Sequence, residues 1–291
     1  MRRGRSSKTA EWVAFARAMA TLEEGPLHVD DPAARTTLPF ALARIVRGAE
    51  RRLTGPLVRK VVHATSGGLV AHIALRTQAI DRAVLDATQN AGVRQVVILG
   101  AGLDLRAHRL PLPNGTTVFE VDHPATQAHK RASLARATGD TKPVTYVRVD
   151  FERDDLAKAL ESAGHDTSRP SAWIWEGVTM YLPREATRAT LQVIANRSTS
   201  GSVLAMTYFE DGKTAAHRAF LAAARTPFRL IGEPLIGAMS ASKLREELAR
   251  VGFEIDSSRG DTEWAFDAGI RVPLIDAFLA EKLVLAARRH V

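Results

Sequence analysis

Val96-Val97-Ile98-Leu99-Gly100-Ala101-Gly102-Leu103-Asp104 is the stretch on which the fold turns. Four aliphatic residues running into Gly-Ala-Gly read as a buried parallel strand that opens into a tight loop. The two glycines let backbone approach a ligand that a Cβ would exclude. About twenty residues on, Thr117-Val118-Phe119-Glu120-Val121-Asp122 reads as the next strand, with the carboxylates Glu120 and Asp122 at its C-terminal tip. In an open α/β sheet that tip receives an adenosine ribose, whose hydroxyls donate to one carboxylate. The expected ligand is therefore an adenosine-containing cofactor held by Gly100, Ala101, Gly102, Glu120 and Asp122.

The loop also distinguishes between such cofactors. A dinucleotide fingerprint needs a third glycine, so that its helix can close on a pyrophosphate. Here Leu105 and Arg106 occupy that region. S-adenosylmethionine has no pyrophosphate to cradle, so the missing glycine favours it over a nicotinamide. A nicotinamide oxidoreductase and a non-catalytic binding protein on the same scaffold are the competing readings.

The rest of the chain is consistent with one α/β domain. Its 291 residues are 45% hydrophobic and 25% charged, ordinary for a globular chain. With no cysteine, disulfides, thiolate metal sites and a cysteine nucleophile are excluded. Half of the formal charge of +8 comes from Arg2, Arg3, Arg5 and Lys8, in what reads as a disordered tail. The remainder is too small for a nucleic-acid footprint, and the scattered histidines offer no metal-ligand spacing. No stretch reaches the ~18 apolar residues of a membrane span. The expectation is a cytoplasmic enzyme acting on a small molecule, with no nucleic-acid or membrane partner and an undetermined oligomeric state.

Residues 1–90 read as a helical cap over the C-terminal edge of the sheet, with breaks at Gly25-Pro26, Asp31-Pro32, Gly55-Pro56 and Gly67-Gly68. Residues 91–291 read as the α/β core, the whole being a single domain. Strands are expected at 95–99, 116–121, 144–149, 171–176, 202–208, 252–257 and 281–287. Helices are expected at 124–137, 152–162, 184–197, 212–225 and 240–251. The segment 258–270 reads as irregular, followed by a short apolar helical run at Ile275–Phe278. Such alternation means a mostly parallel sheet wrapped by helices.

Four further places carry residues that a bare scaffold does not need. Asp150 ends a strand and, with Phe151, would suit an adenine; the alternative is an N-cap for the helix expected at 152. Glu176 is delivered to the same edge by Trp173-Ile174-Trp175, and a lone acid there needs a ligand or a structural arginine. Tyr181 follows closely, either facing a pocket or filling the core. His72 and Arg76 share a helix face. Arg76 could clamp a carboxylate in bidentate fashion or simply be a surface arginine.

In six ordered blocks the chain resembles a known family. They are ALRTQAID, QVVILGAGLDLRAHRL, FEVDHPATQAHKRASL, YVRVDFERDDLAKAL, WIWEGVTMYLPREATRATL and the late GEPLIG with LARVGF. The resemblance is to the S-adenosylmethionine-dependent methyltransferases of the leucine carboxyl methyltransferase family, in its bacterial polyketide-type, tetracenomycin carboxyl methyltransferase-like branch. It implies a Rossmann-like class I methyltransferase fold with a seven-stranded, mostly parallel sheet. It also implies O-methylation of a carboxyl or hydroxyl group on a polyketide-type secondary metabolite. By the same resemblance Arg76 grips the cofactor carboxylate, Gly100 underlies its methionine portion and Asp122 binds the ribose beside Glu120. Asp150 and Phe151 then meet the adenine, and Glu176 lies near the amino group. Two departures stand out: Leu105 replaces a usual threonine, and His72 an aromatic. A phenol acceptor needs a base where a carboxylate does not. His72 is the candidate base, the alternative being a helix residue bonded locally. Tyr181 completes the catalytic pair, with Tyr208 and Glu210 beside the pocket.

Overall fold

The structure, a computed structural model, describes residues 7–137, 143–151, 153–211, 226, 228–230, 232–271 and 281–289. Residues 1–6 of the N-terminal tail, the whole of the helix expected at 212–225 and the run Ile275–Phe278 lie outside these residues, whereas Lys8, read with the disordered tail, begins a helix. Seven strands form one sheet: β1 (Gln95–Leu99), β2 (Thr117–Asp122), β3 (Thr145–Arg148), β4 (Ser171–Trp175), β5 (Val203–Phe209), β6 (Phe253–Arg259) and β7 (Glu281–Arg288). Their order is β3-β2-β1-β4-β5-β7-β6. The first five run parallel, while β7 lies antiparallel to β5 and to β6. All seven expected strands are present.

The helices are α1 (Lys8–Ala20), α2 (Phe40–Ala49), α3 (Gly55–Thr65), α4 (Leu69–Leu85), α5 (Arg106–Arg109), α6 (Pro124–Ala137), α7 (Leu156–Ser162), α8 (Arg184–Asn196), α9 (Ala241–Arg250) and α10 (Asp261–Asp267). Two boundaries differ from expectation. The helix expected from 152 begins at Leu156, because Asp155 rather than Asp150 is its N-cap, accepting from the Lys158 N–H at 3.1 Å. The segment expected to be irregular holds α10, whose start is fixed by the Glu263 carboxylate accepting from the Gly260 N–H at 2.8 Å.

Side-chain alternation along the strands divides the core into two layers. Val97, Leu99, Phe119, Val121, Trp173, Trp175, Leu204 and Met206 pack on one face with residues of α7, α8 and α9. On the other face, Val96, Ile98, Val118, Ile174 and Ala205 pack with Leu75, Ile80 and Val84 of α4 and with Trp264 of α10. The last helix of the stretch read as cap thus forms a layer of the sheet. A third cluster joins α1, α2 and α3 through Phe15, Met19, Val46, Ala49 and Val62, together with Leu103 of the glycine loop.

Candidate active site

The chain passes from β1 outward to β2 and β3, then returns to β4 on the other side of β1. Ligands bind at such a reversal, outside the carboxyl ends of the strands. Register brings the chemistry there. Leu99 pairs with Val121, so Gly100 and Asp122 end adjacent strands, and Glu176 follows Trp175 at the tip of β4. Because β7 is antiparallel, its first residue lies at this same edge: Glu281 pairs with Phe209 at the end of β5.

Gly100 and Gly102 have φ of +66° and +48°, the left-handed region that L side chains adopt only at a cost. A Cβ on Gly100 would stand 2.5 Å from Val178 Cγ2, so this loop and the one after β4 press together. The Gly100 and Ala101 N–H groups donate to the Val121 carbonyl at 2.8 and 3.1 Å. The Asp122 carboxylate accepts from the N–H groups of Gly102 and His123. Burial pushes the Asp122 carboxyl above its ordinary value, although both backbone donors oppose this.

Around this loop runs a chain of buried ion pairs. Arg76 Nη1 donates to both Glu281 oxygens at 2.9 and 2.8 Å, and its Nε donates to Glu176 Oε1 at 3.0 Å. The second Glu176 oxygen accepts from Arg106 Nη1 at 2.9 Å. Arg106 also bonds to Asp81 at 2.6 Å and to Asp104. From there the chain runs through Arg109, bonded to both Asp81 oxygens, to Asp31 and Arg17. Burial alone would raise the Glu281 carboxyl, but the Arg76 guanidinium and His72 outweigh it and bring it down to about 2.

This arrangement answers the question posed by Glu176: its partners are two buried arginines. Arg76 is no surface arginine, being 4% exposed between two carboxylates. Glu120 sits under the edge rather than on it, wholly buried and 2.7 Å from Lys130 Nζ. Asp150 is half-exposed near Arg153, and Phe151 packs against the apolar layer beneath the sheet edge. Tyr208 belongs to the core, 1% exposed. Among the described residues no group of side chains is placed to hold a metal ion.

His72 departs most from expectation. It does not stand free over the edge as a base; it is buried, with Nδ1 2.7 Å from Asp261 Oδ2 and Nε2 2.9 Å from Glu281 Oε2. Burial opposes its charge, but the two carboxylates prevail and raise its pKa above the ordinary value. Both ring nitrogens are engaged by these carboxylates, so neither is free to take a proton from an acceptor. Its folded pKa exceeds the unfolded value of about 6.5, so its stabilisation is complete below that pH and is lost as pH rises through the folded value. The melting-temperature gap between wild type and His72→Gln should therefore be widest near pH 6 and narrow in alkaline solution. A gap constant with pH would contradict the charged assignment.

Tyr181 lies in the turn Thr179–Tyr181 after Glu176, its ring 6.3 Å from that of Phe228. Burial holds its phenol well above the usual range. The GEPLIG block straps this turn in place. Ile236 and Gly237 N–H groups donate to the Met180 carbonyl at 2.9 and 3.0 Å, and a Cβ on Gly237 would run into the Thr179 carbonyl oxygen. Glu233 of the same block caps α1, accepting from the Lys8 and Thr9 N–H groups at 2.9 and 3.1 Å. α1 thereby rests on the glycine loop, with Ala10 against Gly102 and Arg17 Nη2 donating to the Leu103 carbonyl at 2.8 Å.

Sequence reasoning missed Glu281, Asp261, Arg106 and Glu233 as parts of this edge. Glu281 had the same signal as Glu176, an acid beside an apolar strand, but only the antiparallel course of β7 brings it here. A surface cleft of about 490 Å³ between His28–Asp30, α4 and Leu110–Pro111 includes Asp81 and Arg109 but no residue of the glycine loop. It borders the outer end of the ion-pair chain, at Asp81 and Arg109, and not the glycine loop.

The edge suits a cationic cofactor. Seven carboxylates (Asp31, Asp81, Asp104, Glu120, Glu176, Asp261, Glu281) pair with six cations (Arg17, His72, Arg76, Arg106, Arg109, Lys130), and Asp122 is an eighth acid. At the strand tips themselves, the carboxylates of Asp122 and Glu176 carry the sign that a sulfonium with its ammonium group calls for. The tight glycine turn leaves room for backbone to meet it.

A family model described as leucine carboxyl methyltransferase matches residues 10–195, well over half of the chain. A Mycobacterium marinum protein assigned as an S-adenosyl-L-methionine-dependent methyltransferase is 43% identical over 216 residues, covering 72% of this chain and 69% of its own. A Mycolicibacterium paratuberculosis protein with the same assignment is 44% identical over 210 residues, covering 70% and 66%. The matched stretch thus spans about two thirds of these relatives' lengths. Among solved structures, one assigned as a methyltransferase from Thermobifida fusca superposes with a TM-score of 0.60 at 17% identity, over 99% of this chain and 97% of its own. A duf574 family protein from Streptomyces avermitilis gives 0.62 at 17% identity, over 98% of each chain. At that identity the two structures share the fold.

Proposed function

Since this chain belongs to the leucine carboxyl methyltransferase family and is an S-adenosyl-L-methionine-dependent methyltransferase, we propose that it methylates a carboxylate oxygen of a small molecule. A polyketide-type metabolite, the acceptor implied by the sequence blocks, is the proposed substrate class.

The observation that carries this reading is the state of the expected catalytic pair, His72 as the candidate base and Tyr181 beside it in the pocket. His72 has both ring nitrogens held by the buried carboxylates of Asp261 and Glu281, and burial keeps the Tyr181 phenol protonated at neutral pH. Neither can deprotonate a phenol or an alcohol. A carboxylate needs no base, being ionised already at neutral pH. When bound, the cofactor would supply an electrophilic methyl group to the carboxylate oxygen, with its sulfur as the leaving atom. No proton changes place.

In this proposal the protein positions and excludes. Asp122 accepts the ribose hydroxyls while its backbone partners hold it in place. Glu176 takes the ammonium group, and Arg76 and Arg106 hold Glu176. Arg76 also faces the cofactor carboxylate. Asp150 and Phe151 flank the adenine. The straps from Glu233 and Gly237 set α1 and Tyr181 over the reacting atoms, where a phenol donor can orient the acceptor. Holding the oxygen ~3–3.5 Å from the methyl carbon, in line with the breaking bond, is the main catalytic demand.

Incubation with methyl-labelled cofactor and a panel of carboxylic acids and phenols tests the acceptor. The expected product is a methyl ester, releasing labelled methanol on mild alkaline treatment, and its rate of formation should stay flat from neutral pH upward. An alkali-stable ether whose rate climbs with pH would assign the reaction to a hydroxyl.

A further inference from the structure

α2 and α3 form a hairpin whose inner sides, Val46, Ala49 and Val62, are buried against α1 and α4. Its outer side is unusual. Among the described residues nine large apolar side chains stand exposed, and five of them fall within residues 40–61. They are Phe40, Ile45, Leu57 and Val61 on the helices and Leu53, 93% exposed, at the turn between them. Scattered exposed leucines are ordinary, but a cluster of them marks an interaction site.

The charges between them share one sign. Residues 40–65 contain six basic side chains (Arg44, Arg47, Arg51, Arg52, Arg59 and Lys60) and one acid, Glu50. Glu50 is itself bridged to Arg35. The formal charge of the hairpin is therefore +5, six less one. Arg44 and Arg47 each place a guanidinium 5.8 Å from the centre of the Phe40 ring, so cation and apolar side chain occupy one surface.

The partner must accept apolar side chains and supply negative charge around them. A second copy of this hairpin fails on charge, since +5 would face +5. An anionic bilayer meets both demands: its acyl boundary takes Leu53, Leu57 and Phe40, and its headgroups meet the arginines. We propose that the α2–α3 hairpin docks the protein peripherally on anionic phospholipid membranes. No helix among the described residues is long and apolar enough to span a bilayer. The sequence-based expectation of no membrane partner rested on the absence of a spanning segment, and this proposal departs from it, because lying on a surface requires only an exposed apolar and basic face.

The test is co-sedimentation of the full chain with vesicles of phosphatidylcholine alone and of phosphatidylcholine mixed with phosphatidylglycerol. Retention is expected on the anionic vesicles only, weakened by high salt. Removing Arg44 or Arg51 by substitution with Ala should cost about five-fold in partitioning each. Leu53→Glu combined with Leu57→Glu should abolish retention while leaving the melting temperature and S-adenosylhomocysteine affinity unchanged, because both side chains are exposed. Equal retention of that double variant would hand the binding to the N-terminal arginines and overturn the proposal. So would equal binding to both vesicle types, no binding to either, or a lipid-free dimer dispersed by Leu53→Glu.

Discussion

Arg76→Ala will lower the melting temperature by about 10 °C and weaken S-adenosylhomocysteine binding about 10- to 150-fold. The two effects have one origin. Arg76 is the only side chain shown bridging Glu176 at the tip of β4 and Glu281 at the start of β7 among the described residues. Removing it leaves both carboxylates buried with one cation each, Arg106 and His72. Breaking a buried pair in this way costs about 3–5 kcal/mol, because the remaining charge has lost its compensation. Arg76→Lys separates the two roles. An ammonium keeps the charge but cannot span two carboxylates in the fork geometry of a guanidinium. Melting temperature should recover in part, and cofactor affinity should stay low. A variant Arg76→Ala that melts within a degree or two of wild type would mean that the ion-pair chain does not hold α4 to β7.

Gly100→Ala should abolish methyl transfer while the protein remains folded. The backbone at Gly100 lies in the left-handed region, which costs an L residue about 1–2 kcal/mol. The added methyl would also collide with Val178, and overpacking of that kind costs about 1–3 kcal/mol. Cheapest relief is for the loop to shift, which moves Gly102 and its bond to Asp122. The double variant Gly100→Ala with Val178→Ala removes the collision and keeps the backbone strain. It should regain a measurable fraction of cofactor binding. If Gly100→Ala alone binds S-adenosylhomocysteine as wild type does, the cofactor does not approach this turn.

Much of this architecture was legible in the sequence, for a physical reason. Buried parallel strands must be apolar on both faces, so Val96–Leu99 and Trp173–Trp175 stand out as unbroken runs, and an acid at the end of such a run marks the sheet edge. Asp122 and Glu176 could be found in this way. Local spacing could not reveal the pairing of those acids, because His72, Arg76, Asp261 and Glu281 meet across as many as 209 positions. His72 was legible as a helix residue sharing a face with Arg76, but its protonation state is set by two carboxylates that arrive from α10 and β7. Arg106 looked like an interruption of a glycine motif and is instead the hinge between Glu176, Asp104 and Asp81. The short α10 escaped notice because its start signal lies in one glutamate reaching back to Gly260, with no apolar period long enough to announce a helix.

The most direct measurement is a calorimetric titration of S-adenosylhomocysteine into wild type and Asp122→Ala side by side. The expected result is one-to-one binding to wild type, weakened about ten-fold or more in the variant, since the ribose hydroxyls lose a charged acceptor. Equal affinity in the two proteins, with both folded, would contradict the placement of the cofactor between the glycine turn and the tip of β2.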